Sequence, residues 1–218
     1  GPEAKGPEGD KPVRAGDKYV SDWREPTNPA MAWPSRAGLP ALGNPNAKVK
    51  VTVFGDLLEP ATAEADATIR NALAGRLDMW YEFRYLPADK NCNPSLPQTI
   101  FPEACWAARA AEAANVLGGP SAYWKVHEWI MANRKTFSEA TLKAAAPSLG
   151  LDPEALLKTM EDPKVSGLVS MDANIGMRLH ATEIPRIFVN GKVVPRWRLE
   201  NEFVLERIIE EAANEPPK

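Results

Sequence analysis

The chain has 218 residues and a formal net charge of −3 at pH 7. This length fits one domain with additional segments, and a weakly acidic balance gives no basic field for binding nucleic acid. No apolar run is long enough to span a bilayer. The sequence also shows no glycine-rich phosphate loop, no Ser/His/Asp set and no metal-ligand spacing, so we expect no cofactor and no metal.

The residues that precede the first predicted core strand divide into two parts by composition. Residues 1–18 are rich in Gly, Pro, Lys, Glu and Asp, which predicts a disordered tail. Residues 19–48, called the arm below, combine aromatic side chains such as Trp23 and Trp33 with five prolines. The arm is too proline-rich for a helix. We predict an extended segment that lies over its own domain or over a partner chain, and the sequence leaves both open.

A strand–helix–strand unit follows the arm. Along residues 49–54 and 78–86, apolar or aromatic side chains fall at every second position, which is the pattern of a strand. Residues 60–75 are predicted to form the helix between them, because Pro60 suits a first helical turn and Gly75 suits an exit. The two strands of such a unit lie parallel and are joined by a right-handed crossover.

A helical region of about residues 103–180, called the insert below, begins after a proline-rich loop over residues 87–102. Apolar side chains recur there at helical spacing, and the pattern predicts five helices. Their predicted positions are residues 103–116, 121–132, a short stretch after Ser138, 152–160 and 163–179.

The last part of the chain is predicted to form a hairpin and a closing helix. A strand at residues 186–189 is followed by Asn190-Gly191, a strong two-residue turn signal, by a returning strand at 192–194 and by a helix at 199–213. The order of elements is therefore βαβ, helical insert, ββα. This order predicts an α/β, thioredoxin-like fold with a helical subdomain inserted before the third core strand.

Three stretches resemble the DsbA-like thioredoxin-fold oxidoreductases, and they are especially similar to versions fused to vitamin K epoxide reductase-type membrane domains. The stretches are residues 43–56, residues 92–105 with the aromatic segment 123–127, and residues 183–191. The resemblance covers roughly residues 43–213. It implies a DsbA-like domain over residues 49–214, followed by a short tail at 215–218.

The resemblance also locates a departure from the family pattern. Active relatives carry Cys-X-X-Cys at the start of the first core helix, where this sequence has Glu59-Pro60-Ala61-Thr62, called the helix-start segment below. A helix N-terminus stabilises a thiolate, and disulfide exchange needs a second thiol nearby. A carboxylate and a hydroxyl cannot perform this exchange, so we expect a degenerate site without catalytic residues. Glu59 is interpreted either as a mimic of the thiolate charge or as a tolerated helix-start residue.

Cys92 and Cys105 are the two cysteines of the chain. One pair is compatible with a structural disulfide, two free thiols or a redox pair. Both residues are flanked by proline turns rather than by a helix-start motif, which favours a structural disulfide. Such a bond would indicate the periplasm or another extracytoplasmic compartment. The enzymatic alternative is thiol–disulfide exchange through this pair or through a partner's cysteines.

The third similar stretch implies a peptide-docking edge. By resemblance, Pro185 is expected to be cis and to lie beside the start of the first core helix. The backbone of Glu183 and Ile184 would then be free to pair with an extended peptide. Alternatively, Pro185 only shapes the turn into the next strand, and the two interpretations are compatible.

Other polar residues have ordinary structural interpretations. His127 falls among core-facing positions and is predicted to be buried and hydrogen-bonded. Asp172 falls on or at the edge of the apolar stripe of its helix, where it would pair with Arg178 or with a backbone N–H. The segment from Arg196 to Arg198 is interpreted as a solvated turn, with a surface contact patch as the alternative.

These observations predict a redox-inactive, DsbA-like domain that acts by binding, as a scaffold, an accessory subunit or a peptide-docking domain. We expect a protein or peptide partner, with a membrane-protein complex as one candidate, and no nucleic acid. A membrane anchor in a longer protein stays open. A weaker alternative is a glutathione-using relative of the same superfamily that carries a non-cysteine residue at the helix start.

Overall fold

The structure is a computed structural model in which residues 13–180 and 183–216 are described. Most of the tail predicted at residues 1–18 therefore lies outside the described residues, and so do the last two residues of the tail predicted at 215–218. Within the described part of the chain, a five-stranded mixed sheet is packed between helices.

The strands and helices are numbered here in chain order. The strands are β1 (Ala41–Gly43), β2 (Val49–Gly55), β3 (Met79–Tyr85), β4 (Arg186–Val189) and β5 (Lys192–Val193). The α-helices are α1 (Asp17–Arg24), α2 (Pro60–Leu73), α3 (Ala104–Ala132), α4 (Glu139–Ala145), α5 (Pro153–Met160), α6 (Pro163–Arg178) and α7 (Val204–Asn214), with a 3-10 turn at Ala146–Leu149.

The strand order in the sheet is β1-β3-β2-β4-β5. Strands β2 and β3 are parallel, as the βαβ prediction requires, and the other neighbouring pairs are antiparallel. Nearly all side chains of β2 and β3 are buried on both faces, because helices and the arm cover the two sides of the sheet. The observed order is the predicted βαβ, helical insert, ββα.

The prediction that the arm contains no helix is wrong at its start. Helix α1 begins at Asp17, inside the predicted tail, and ends at Arg24, before the first proline of the arm at Pro26. The proline content of the arm does not exclude this helix, because the helix ends before the first of those prolines. The side chain of Trp23 is fully buried, and its Nε1 donates to the carbonyl oxygen of Val189 at 3.2 Å.

The arm also supplies strand β1, which the sequence analysis missed. This three-residue strand pairs with β3 at the edge of the sheet. Gly43 ends it with a φ of +88°, and a Cβ atom there would collide with the carbonyl oxygen of Met79. A strand this short carries no readable alternation, so periodicity could not reveal it.

The rest of the arm packs on its own domain, which answers the question that the sequence left open. The ring centroid of Trp33 lies 5.5 Å from that of Phe54 and 4.8 Å from that of Phe188. Its Nε1 donates to Glu82 Oε1 at 3.2 Å. Through these contacts the arm covers one face of the sheet.

A buried ion cluster ties the arm to the sheet and to the insert. The guanidinium of Arg36 pairs with Glu112 on α3 and lies 3.5 Å from the carboxylate of Asp172 on α6. Arg84 Nε donates to the same Asp172 carboxylate at 2.9 Å, as does the backbone N–H of Tyr85 at 3.1 Å. The side chains of Arg36, Glu112, Asp172 and Arg84 are all at most 4% exposed.

The predicted partner of Asp172 is therefore partly corrected. Its pairing with a backbone N–H is confirmed, whereas pairing with Arg178 is wrong. Arg178 is exposed and donates to the carbonyl oxygen of Asn174. The arginines that contact Asp172 come from the arm and from β3, which are distant in sequence.

One helix boundary differs from the predictions, whereas one predicted break is confirmed. The helical segments predicted at 103–116 and 121–132 are separated within α3 by Gly119, which takes a non-helical φ of 72° just before Pro120. Helix α7 begins at Val204 instead of residue 199, because Leu199 and Glu202 bridge to each other and close a turn.

His127 is fully buried and hydrogen-bonded, as predicted. Its Nε2 lies 2.9 Å from Asp66 Oδ1, and the same oxygen accepts a hydrogen bond from the Tyr81 hydroxyl at 2.6 Å. The imidazole packs edge-on against Trp124, with ring centroids 4.8 Å apart. These contacts join α2 to α3 across the core.

Replacing Arg36 with glutamine should lower the free energy of unfolding by about 3 to 5 kcal/mol, because Glu112 and Asp172 would keep buried charges with one partner removed. Urea unfolding followed by tryptophan fluorescence measures this change. Adding Glu112→Gln should recover part of the loss. Arg178→Gln is the matched control at an exposed site and should leave the midpoint unchanged; equal effects of the two arginine variants would contradict the assignment.

Candidate functional site

The helix-start segment follows β2 after a turn formed by residues 56–58 and leads into α2. Glu59 is the N-cap residue, with extended φ and ψ of −88° and 128°, and Pro60 occupies the first helical position. The Glu59 carboxylate accepts hydrogen bonds from the backbone N–H groups of Ala61 at 2.9 Å and Thr62 at 2.5 Å. It therefore satisfies two of the unpaired donors at the helix N-terminus.

Thr62 completes a closed polar network at this position. Its hydroxyl is fully buried and donates to Glu59 Oε2 at 2.8 Å, while it accepts from the backbone N–H of Asp56 at 3.4 Å. The Glu59 carboxylate thus accepts three hydrogen bonds, all from its own helix start. In this geometry Glu59 acts as a helix cap rather than as a group presented to a ligand.

Asp56 lies beneath this network and was missed by the sequence analysis. Its side chain is buried and accepts hydrogen bonds from the backbone N–H groups of Leu58 and Ala88, each at 2.8 Å. Burial raises the pKa of Asp56 to about 7, against these two hydrogen bonds, and the nearby Glu59 and Asp89 carboxylates add to the increase. An Asp that bonds to the N–H two residues later is a known turn signal, and this signal could have found it.

The segment from Glu183 to Pro185 faces the start of α2 across a groove. The Ile184–Pro185 peptide bond is cis. The groove, called the proline groove below, has a volume of about 500 Å³. It is lined by the first turns of α2, by Tyr19 and by two segments that flank the β4–β5 hairpin, namely residues 183–187 and 194–198.

The structure therefore brings together part of the predicted site. Ala61 lines the proline groove with Glu183, Ile184 and Pro185, but Glu59 does not. A second cavity of about 350 Å³ adjoins Pro60, with the apolar side chains of Leu58, Phe101 and Phe137 among its lining residues. Within the described part of the chain, no group of three or more His, Cys, Asp or Glu is arranged to hold a metal ion.

The predicted disulfide is confirmed. The sulfur atoms of Cys92 and Cys105 are bonded, and the two Cα atoms are 5.8 Å apart. Each cysteine is 4% exposed, and the backbone N–H of Cys105 donates to Asp89 Oδ2 at 3.2 Å. Neither cysteine lines the proline groove or the cavity beside Pro60. The bond joins the loop after β3 to the first turn of α3.

The sequence profile of the DSBA-like thioredoxin domain matches residues 96–204, which is half of the chain. The chain belongs to this family. The match includes the insert, the β4–β5 hairpin and the start of α7. The predicted α/β, DsbA-like thioredoxin fold is thereby confirmed.

Solved structures support the same fold over most of the chain. BdbD from Bacillus subtilis, in its oxidised form, superposes with a TM-score of 0.68 at 21% identity, covering 86% of this chain and 100% of that protein. The thiol-disulfide exchange protein alpha-DsbA2 from Wolbachia pipientis gives a TM-score of 0.65 at 18% identity, covering 80% of this chain and 87% of that one.

Curated relatives of a different kind also match the sequence. The Na(+)/H(+) antiporter NhaA 3 of Salinispora tropica is 27% identical over 150 residues, and NhaA 1 of Salinispora arenicola matches to the same extent. The match covers 69% of this chain and 21% of each relative, so the chain spans about a fifth of their length. In the residues that the structure describes, no helix is both long and apolar enough to cross a membrane.

Replacing Asp56 with asparagine should flatten the pH dependence of stability. Because burial raises the folded-state pKa from 3.8 to about 7, the contribution of Asp56 is complete below about pH 4 and is lost as the pH rises through about 7. The wild-type protein should therefore lose stability between pH 4 and pH 8 relative to Asp56→Asn, by at most about 4 kcal/mol. Urea unfolding at several pH values measures the difference.

The matched control for that experiment is Asp22→Asn, which changes an exposed carboxylate on α1. It should keep the wild-type dependence on pH. Parallel pH profiles for the wild type and Asp56→Asn would contradict the assigned titration.

Replacing both cysteines with alanine should lower the free energy of unfolding by about 3 kcal/mol, since the bond closes a short loop and restricts the unfolded chain. The native pair should also resist mild reductants, because both residues are almost fully buried. Alkylation and mass spectrometry across a series of redox buffers measure the second property. A pair that titrated near the potential of the glutathione pool would instead indicate redox chemistry.

Proposed function

We propose that the chain is a redox-inactive DsbA-like domain that acts outside the cytoplasm as a binding or accessory domain of a membrane-protein complex. The observation that carries this proposal is the chemistry of the helix-start segment. Glu59 and Thr62 stand where the resemblance to active relatives implies the two cysteines, and their side chains are hydrogen-bonded to each other.

Disulfide exchange needs a thiolate that attacks and a second thiol that resolves the mixed disulfide. Neither can come from this helix start, and the chain's two cysteines are bonded to each other. The helix N-terminus that would stabilise a thiolate donates to the Glu59 carboxylate instead. The chain alone therefore has no group suited to the first step of exchange.

The membrane setting is supported by two independent similarities. The curated relatives are named as Na(+)/H(+) antiporters, and the stretch that matches is only 21% of their length. The sequence also resembles DsbA-like domains that are fused to membrane domains of the vitamin K epoxide reductase type. The first names a membrane antiporter of which the matching stretch is only a part, and the second is a resemblance to a domain that is joined to a membrane protein.

The extracytoplasmic location is supported by the disulfide. Structural disulfides form and persist in oxidising compartments and are rare in the cytosol. The Cys92–Cys105 bond is buried and tied to Asp89 through the backbone N–H of Cys105, which favours a structural role. This argument applies whether or not the domain is anchored to a membrane.

Binding is the activity that the remaining geometry favours. Among the described residues, no backbone hydrogen bond uses Glu183 or Ile184, so this segment can pair with an extended chain. Such pairing would add a strand-like segment of a partner beside the start of α2. The competing function is thiol–disulfide exchange through a partner's cysteines, and the following experiment separates the two.

The wild-type protein should leave the reduction of insulin by dithiothreitol at the uncatalysed rate. The double variant Glu59→Cys/Thr62→Cys should accelerate it by at least about tenfold, because the helix start would then stabilise a thiolate and supply a resolving thiol. Turbidity of the released insulin B chain measures the rate.

The matched control is Glu64→Cys/Ala67→Cys, which places the same spacing about one and a half turns further along α2, away from the unpaired N–H groups. It should stay near the background rate. Wild-type turnover well above background would exclude the redox-inactive function. An inactive Glu59→Cys/Thr62→Cys variant that forms its new disulfide would contradict the position assigned to the missing cysteines.

A further inference from the structure

Arginine side chains are concentrated around the proline groove. Its lining includes three arginines, Arg186, Arg196 and Arg198, against two glutamates, Glu64 and Glu183. The chain as a whole carries a net charge of −3, so this groove is cationic on an otherwise acidic protein. A local field of this sign attracts anionic groups.

Two of these arginines lack a carboxylate partner. Arg198 forms an ion pair with Glu64, which satisfies both. Across residues 13–180 and 183–216, no carboxylate lies within 4.0 Å of the guanidinium nitrogens of Arg186 or Arg196. Glu183 acts on Arg186 only through its more distant charge.

Arg186 is the less hydrated of the two. Its Nε is buried and has no acceptor. Burial lowers the pKa of Arg186, and the charge of Glu183 opposes this only in part. A partly desolvated guanidinium without an anion is unfavourable, and a carboxylate that enters the groove would relieve that cost.

Apolar surfaces lie next to these charges. Ile184, Pro185 and Val194 line the same groove, together with the half-buried indole of Trp197. An extended segment presents alternate side chains to opposite sides. One carboxylate can therefore reach the arginines while its backbone follows Ile184 and its neighbouring side chains contact the apolar lining.

We propose that the proline groove binds an extended segment of a protein partner through an acidic side chain, which the guanidinium groups of Arg186 and Arg196 hold. This inference rests on the binding function proposed above and specifies the chemistry of its partner. Arginine suits the role because its planar donors match a carboxylate in a bidentate geometry.

An anionic membrane surface fits the groove less well. The arginines line a recess of about 500 Å³ rather than a flat face, and the net negative charge of the chain opposes approach to an acidic bilayer. Free backbone groups at Ile184 would also gain nothing from a lipid headgroup surface, whereas an extended peptide can pair with them.

Titration of ¹⁵N-labelled protein with two capped pentapeptides tests the proposal. The probes are acetyl-Val-Asp-Val-Glu-Val-amide and its uncharged counterpart acetyl-Val-Asn-Val-Gln-Val-amide. The acidic peptide should shift the Trp197 indole resonance and bind at least about fivefold more tightly, because a carboxylate-arginine pair is stronger than an amide contact. The preference should weaken as salt is added.

The variant Arg196→Gln should remove most of this preference, since Arg196 is exposed and its replacement leaves the fold intact. Arg178→Gln, an exposed arginine on α6, is the matched control and should keep it. The Arg186→Gln variant changes a half-buried residue and is tested second. Its binding is interpreted only when the dispersion of its resonances matches that of the wild type, which shows that the variant is folded.

Equal affinity for the two peptides, no binding of either, or a preference that survives Arg196→Gln would each overturn the proposal. So would binding to phosphatidylglycerol vesicles in the absence of any response to the acidic peptide. None of these results bears on insulin reduction, so the charge preference can fail while the redox-inactive binding function stands. High insulin-reducing activity would remove that function even if the acidic peptide bound.

Discussion

The carboxylate of Asp172 joins three parts of the molecule at one buried point. It accepts from Arg84 on β3 and lies beside Arg36 of the arm, while Asp172 itself belongs to α6 of the insert. A buried charge is tolerated only where partners replace its water, so sheet, insert and arm must keep these relative positions. Helix α6 ends shortly before the Glu183–Pro185 segment. The cluster therefore holds in position the helix that precedes this part of the proline groove.

On our proposal, the start of α2 keeps the geometry of the family fold while its chemistry differs from that of active relatives. Any helix N-terminus needs acceptors for its free N–H groups, and Glu59 supplies both oxygens of one carboxylate to Ala61 and Thr62. On our proposal, this carboxylate fills the electrostatic role that a thiolate has in active relatives. Because the Glu59 carboxylate is held by three hydrogen bonds and does not line the proline groove, it adds no negative charge to the lining of that groove.

Local patterns predicted the elements that depend on neighbouring residues. The alternation of β2 and β3 and the Asn190-Gly191 turn, where both residues adopt positive φ, gave the order of the core. Counting left the Cys92–Cys105 bond as one of three alternatives, and the proline turns that flank both cysteines favoured it. Helix α1, β1 and the contacts of Arg36 could not be predicted, because they depend on pairings between the arm and residues that are distant in sequence. The raised pKa of Asp56 likewise depends on burial, which no local pattern reports.

The distribution of charge supports our proposal that this domain acts by recognition rather than by catalysis. The side chains of Glu59 and Thr62 are hydrogen-bonded to each other at the helix start. The disulfide is buried and does not line the groove. By contrast, Arg186 and Arg196 are left without a close carboxylate beside a segment whose backbone is free to pair. A partly buried guanidinium such as that of Arg186, whose Nε has no acceptor, is costly without an anion. On our proposal, a carboxylate from another protein segment supplies that anion.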